Sequence, residues 1–190
     1  PELVLFSHGL LFHQGMWARA MAHFTEGHAE HIPANRFRCV AYDHRGQGQS
    51  GREGARDMDT LADDAAALIE RLQAEYRCGP VHFVGLSMGG FVGLRVAARR
   101  PELLRSLVLL DSSAEPESNP KKYRRLNTVV RLFGVIGAVQ KRVLPVIFGR
   151  STLNDPERAA MVQFWTDWLK NLPRDVTTAV QGVIMRAPVV

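Results

Sequence analysis

"VHFVGLSMGGFVGLRVAARRP", residues 81–101, sets one serine between glycines where an apolar run gives way to a helical one. "VHFV" has the length and composition of a short buried strand. The stretch from Met88 to Arg100 has helical spacing and stops at Pro101, which cannot continue a helix. Gly85-Leu86-Ser87-Met88-Gly89 fits G-x-S-x-G, a sharp strand-to-helix bend that projects a serine hydroxyl beyond the edge of a sheet. Side chains two residues to either side would collide in so tight a bend, so glycine is needed there. Gly90 gives the helix further room to approach the strand. Ser87 is thus placed to attack a carbonyl carbon. At neutral pH it is a poor nucleophile unless a base takes its proton.

The surrounding chain supplies a suitable frame. "LVLFSHG" (3–9), "CVAYDHRG" (39–46), "VHFVGLS" (81–87) and "SLVLLDSS" (106–113) are short, almost continuously apolar, and end in turn residues. Such runs suit strands buried on both faces, as in a parallel sheet. Between them, "TLADDAAALIERLQAEY" (60–76) places Leu61, Ala65, Leu68, Ile69, Leu72 and Tyr76 on one helical face, with Thr60 and Asp63 as a capping box. A weaker helix is expected from Trp17 to Glu26. Strands alternating with helices argue an α/β domain. From about Glu115 the pattern changes: after the polar break "EPESNPKK" only helical patterns follow, near 121–133, 135–147, 156–171 and 174–186. The expected organisation is therefore an α/β core over 1–114, which the resemblance given below makes a partial one, and a helical section over 115–190.

Two further turns bear on Ser87. In "FSHGLLFHQGMW", His8-Gly9 closes the first strand, and Gly9 permits a tight turn that aims the next backbone N–H inward. The Leu10 and Met88 amides would then form an oxyanion hole, with His8, Gly9, Gly85, Gly89 and Gly90 supporting the turns. In "YDHRGQGQS" (42–50), Asp43 and Arg45 brace a glycine-rich loop, which lacks the G-x-x-x-x-G-K-[ST] spacing of a phosphate loop.

Composition narrows the alternatives. The chain has 190 residues, 46% hydrophobic and 23% charged, enough for one domain with a core. A net charge of +5 raises the question of nucleic acid, but the basic residues are dispersed, with no aromatic stacking platform among them. "KKYRR" (121–125) reads as the solvated face of a helix. No apolar run approaches the ~20 residues of a membrane span. Cys39 and Cys78 are too few and too far apart for a metal site or disulfide framework, and read as reduced structural thiols in an intracellular, cytoplasmic protein. Neither a membrane nor a nucleic-acid partner is expected, and no metal or organic cofactor.

Taken together, "SHG…W", "DHRGQGQS" and "GLSMGG…ARRPELLRSLVLLDSSA" resemble the α/β-hydrolase fold family, closely over residues 3–114. The helical stretch from 115 to 186 is similar to that family's cap. "GLSMGG" followed by "AARRPELLRSLVLL" is similar to 3-oxoadipate enol-lactonases, cofactor-free haloperoxidases and related small-ester hydrolases. The resemblance implies central parallel strands with flanking helices, an incomplete sheet, and a serine hydrolase forming an acyl-enzyme on Ser87 from a small ester or lactone. It also implies an apolar pocket beneath the cap. A perhydrolase using the same serine, and a ligand-binding relative that has lost catalysis, are the alternatives. Relatives with aspartate or cysteine in the serine's place are a poorer match.

In this family the triad runs Ser…Asp/Glu…His. The seven histidines, at 8, 13, 23, 28, 31, 44 and 82, all precede Ser87. His82 lies most of a strand away, His8 belongs to the oxyanion turn, His44 to the braced loop, and nothing marks His13 as a base. His23, His28 and His31 are expected on the far side of a helix or in a polar loop. Asp111, after the fourth strand, occupies the place where a minority of relatives put their acid. The expectation is a piece of a longer hydrolase whose histidine lies elsewhere, the isolated chain being nearly inert.

Overall fold

The structure, a computed structural model, describes residues 1–25 and 36–189. His28 and His31 lie outside the described residues. Four parallel strands, β1 (Glu2–Ser7), β2 (Phe37–Tyr42), β3 (Val81–Leu86) and β4 (Leu104–Leu110), form one sheet in the order β2-β1-β3-β4. The register aligns Ser7 with both Tyr42 and Gly85, and Leu86 with Leu110, so all four carboxyl ends reach the same edge.

The continuous apolarity of β1 has a direct cause. Leu3 and Leu5 face a core built by α2 (Met58–Tyr76) and α3 (Met88–Arg99), while Val4 and Phe6 face Trp17 and α1 (Ala18–Thr25). With both faces covered, alternation has no physical basis. β4 is as apolar in sequence but differs in setting. It pairs with β3 alone among the described residues, and Val108, Leu109 and Leu110 are 44%, 38% and 40% exposed. The sheet is not closed.

Helix boundaries follow capping chemistry and correct two expectations. Helix α2 begins at Met58, and its cap is Asp57, whose carboxylate accepts from the Asp59 and Thr60 amides; Thr60 and Asp63 form no capping box. A carboxylate three residues upstream of Thr60 reaches the free N–H groups first, which leaves Asp63 to approach Arg99. Trp17 lies in a 3-10 turn (Gln14–Trp17) before α1, because the His13 side chain caps that turn. Helix α3 stops before Pro101 as expected.

After β4 only helices follow: α4 (Pro120–Phe133), α5 (Gly137–Ile147), α6 (Arg150–Leu153), α7 (Ala159–Lys170) and α8 (Val176–Ile184). Lys121, Lys122, Arg124 and Arg125 of α4 are exposed, as a solvated face requires. A second cluster of Val130, Val135, Val139, Val143 and Leu169 holds these helices together, and Leu11, from the turn after β1, packs into it. The Arg56 guanidinium donates to the Asp175 carboxylate and carbonyl, and Arg95 of α3 to the Ala187 carbonyl, tying the segment around α8 to the residues before α2 and to α3. None of the helices among the described residues is long and apolar enough to cross a membrane.

Candidate active site

The strand order reverses between β1 and β3, because β1 leads outward to β2 on one side and β3 leads to β4 on the other. The crevice beyond the carboxyl ends at such a switch point is where open parallel sheets bind ligands. Ser87 follows β3 and the His8–Phe12 turn follows β1, so both lie at that crevice.

Ser87 has φ 49° and ψ −112°, a region strongly disfavoured for a residue with a Cβ. Its surroundings over-determine the bend. The Ser87 amide donates to the Leu110 carbonyl at 2.8 Å, and the Ser87 carbonyl accepts from the Gly90 and Phe91 amides and from the Ser112 hydroxyl. The flanking glycines are there for lack of room. A Cβ on Gly85 would lie 2.5 Å from the Gly89 carbonyl oxygen, one on Gly89 would strike the Ser7 carbonyl, and one on Gly90 would strike the Ser112 hydroxyl. The Ser87 side chain is half-buried, and its hydroxyl has no hydrogen-bond partner among the described residues.

Met88 opens α3, so its amide is one of the helix's unpaired donors, and the Leu10 amide donates to no described residue either. Two free N–H groups therefore flank the crevice, with a helix N-terminus beneath one of them.

The first-turn histidines are occupied elsewhere. The His8 ring is fully buried, with Nδ1 donating to the Gly9 carbonyl at 2.8 Å and Nε2 accepting from the His44 amide at 3.0 Å. Burial lowers its pKa to about 4, outweighing the Gly9 hydrogen bond and the Asp43 charge, so the ring is neutral and structural. His44 is buried too, with Nε2 2.8 Å from the Ser7 hydroxyl, and burial together with the nearby His8 pushes its pKa well down. The Ser7 hydroxyl also lies 3.3 Å from that of Tyr42, whose pKa burial raises.

His82 pairs with Ser106 and Glu2. His13 accepts from the Gly15 amide and lies against Trp165 and Trp168. His23 sits on α1 beside Phe24. None of these rings reaches Ser87. Asp111 is exposed, has φ 49°, and forms no hydrogen bond or ion pair with a described residue. Met88 and the glycines adjoin Ser87, Gln47 links the turn bearing Leu10 to Met88, and Asp111 lies between Leu110 and Ser112, both of which bond the Ser87 backbone; among the described residues neither Asp111 nor a histidine bonds the Ser87 hydroxyl.

Asp43 braces its loop by accepting from the Gln14 and Gln49 amides, and Arg45 forms a bidentate pair with Asp64. Gln47, between these two braces and Ser87, is a contact the motifs did not single out; its carboxamide bonds the Leu11 amide and touches Met88. A cavity of about 430 Å3 opens beyond β2, lined by Arg45, Arg52, Glu53 and Asp64 among others. Its lining is charged and excludes Ser87, Leu10 and Met88, so it is not the apolar pocket expected over the serine. Cys39 and Cys78 are unpaired, and burial raises the Cys39 thiol pKa, which disfavours its thiolate. Among the described residues no cluster of metal-ligating side chains occurs.

A family model described as "alpha/beta hydrolase fold" matches residues 2–182. Among curated proteins, a "Putative carbamate hydrolase RutD" of Agrobacterium fabrum is 38% identical over 89 residues, covering 45% of this chain and 33% of that protein. One of the same name from Caulobacter segnis is 32% identical over 139 residues, covering 72% and 46%. Among solved structures, an enol-lactonase from Burkholderia xenovorans superposes with a TM-score of 0.81 at 22% identity. A thermophilic esterase from Thermogutta terrifontis gives 0.77 at 27%. Each covers 99% of this chain, which spans 66% and 65% of theirs. The chain thus spans about a third of the length of the Agrobacterium relative and about two thirds of these two structures.

Proposed function

The chain belongs to the α/β-hydrolase fold family, and from that premise we propose that it carries the nucleophile and oxyanion site of a serine hydrolase acting on a small carboxylic ester or lactone. The observation that carries the reading is the conformation of Ser87: a strained bend, an unpaired hydroxyl, and free amides at Leu10 and Met88 around it. Such strain persists where a structure is built to present one group. Ser87 Oγ attacks the carbonyl carbon, and its proton passes to the triad histidine. The carbonyl oxygen gathers negative charge, which the Leu10 and Met88 amides stabilise. Collapse expels the alcohol, which takes the proton from the histidine, and leaves an acyl-enzyme; water, giving its proton to the same histidine, then attacks the acyl carbon, and collapse releases the acid and returns the proton to Ser87.

The base and its acid would come from outside the described residues, because no histidine among them bonds Ser87. The helical section would bound the site on one side: Trp165 and Trp168 reach the turn after β1, with the Trp168 indole donating to the Leu11 carbonyl at 2.9 Å. The names of the RutD relatives widen the substrate class to carbamates, whose carbonyl carbon poses the same chemical problem.

The test is hydrolysis of a panel of short aryl esters, lactones and carbamates by the full-length protein and its Ser87→Ala variant. Turnover that vanishes with Ser87 is expected. Undiminished turnover in Ser87→Ala would exclude the serine.

A further inference from the structure

The turn that carries the Leu10 amide adopts a shape its residues do not favour. The Phe12 amide donates to the Gly9 carbonyl at 3.2 Å, closing a four-residue turn with Leu10 and Leu11 at its centre. Leu11 has φ 70°, whereas Leu10 is not among the residues with positive φ. This is the type II arrangement, whose third position ordinarily takes glycine because a Cβ is crowded there. The ordinary turn for such a sequence, type I, differs by rotation of the central peptide through about 180°. Something holds the Leu10–Leu11 peptide over.

Gln47 is placed to do this. It is 2% exposed, and its Oε1 accepts from the Leu11 amide at 2.9 Å. Its Nε2 donates to Met88 Sδ at 3.5 Å, and since a thioether only accepts, the amide group has one orientation that satisfies both neighbours. Gly46 and Gly48 on either side have φ 76° and 53°, and these two left-handed residues turn Gln47 inward. The loop that presents it is fixed by the Asp43 carboxylate and by the Gln47 amide bond to the His44 carbonyl.

We propose that Gln47 is the positioning residue of the oxyanion site, a buried carboxamide that sets the spacing between the turn bearing the Leu10 amide and the elbow bearing the Met88 amide. The inference rests on the reading of Ser87 as nucleophile and adds to it the residue that preorganises the second donor. Without the Gln47 acceptor the central peptide relaxes towards type I. The Leu10 carbonyl then swings to the side on which Gln47 and Met88 now lie, and its negative end opposes the charge that develops during attack. Ground-state binding makes no such demand, so the loss falls on the tetrahedral species.

The experiment uses the full-length protein with its active sites counted by fluorophosphonate titration. In Gln47→Met, kcat per titrated site and affinity for a trifluoromethyl ketone, whose adduct places an alkoxide at the oxyanion position, are both expected to fall. Fall and magnitude should run together, about tenfold to a hundredfold, with KM changed by less than about threefold. Gln47→Asn, an amide too short to reach Leu11, should show the same loss. Adding Leu11→Gly to Gln47→Met should restore most of it, since glycine adopts a positive φ without help. Unchanged kcat and ketone affinity in both Gln47 variants, a change in KM alone, or no recovery on adding Leu11→Gly would each overturn the role of Gln47. Turnover surviving Ser87→Ala would instead refute the nucleophile itself, so the two failures are separable.

Discussion

Two serines close neighbouring strands of this sheet, and they are treated in opposite ways. Ser7, at the end of β1, is fully buried, with its hydroxyl 2.8 Å from His44 Nε2 and 3.3 Å from the Tyr42 hydroxyl. Ser87, just past the end of β3, is half-buried, held at φ 49°, and its hydroxyl bonds no described residue. By pairing alone Ser7–His44 is nearer to a catalytic dyad. Yet that pair is sealed from solvent, its imidazole held neutral by burial, and it stitches β1 to the loop after β2. A serine–histidine hydrogen bond is therefore an ordinary way to satisfy buried polar groups. What sets Ser87 apart, and supports the proposal that it is the nucleophile, is a bend that leaves its hydroxyl unpaired near amides that bond no described residue.

The contrast yields graded expectations. Ser87→Ala should lower turnover of the full-length enzyme by on the order of a million-fold, the cost of removing a serine hydrolase nucleophile, with little change in its denaturation midpoint. Gly89→Ala should act through the fold, because its Cβ would meet the Ser7 carbonyl and the backbone must move. A loss of about 3 kcal/mol is expected in urea titration. Ser7→Ala should do the reverse of Ser87→Ala: activity retained, and stability lowered by about 1–3 kcal/mol as His44 Nε2 loses its partner while Nδ1 already has none.

Acid titration separates the buried histidines from the carboxylates. The unfolded chain protonates the His8 ring near 6.5, the folded chain only at about 4. Between those values the unfolded state binds more protons, so stability is fully present above pH 6.5 and falls as pH drops. The slope is about 1.4 kcal/mol per pH unit for one such group, and His44 adds in the same direction. Urea midpoints flat above pH 6.5 and declining already by pH 5.5 are expected; midpoints constant down to pH 5 would show that these rings are not held neutral.

The strands, the elbow and its glycines were legible because each is written in local chemistry: apolar runs bounded by turns, and a spacing that only a cramped bend requires. The two turns that carry Leu10 and Met88 were legible in the same way. The cap of α2 was misplaced by three residues because Asp57 and Thr60 are both good capping residues, and only the backbone shows which one reaches the free amides. The exposure of β4 could be read only from the incomplete sheet that the resemblance implies, since its run is as apolar as that of the buried β1. Gln47 was overlooked because its work depends on two turns distant in sequence. The signal was nevertheless present: a single polar residue between Gly46 and Gly48 has little choice of direction once both take positive φ.

Mapping the covalent adduct addresses the contrast between the two serines most directly. Full-length protein treated with a fluorophosphonate and digested should carry the label on Ser87 and nowhere else, with Ser7→Ala labelled at the same rate. An adduct on Ser7, or full labelling in Ser87→Ala, would contradict the account.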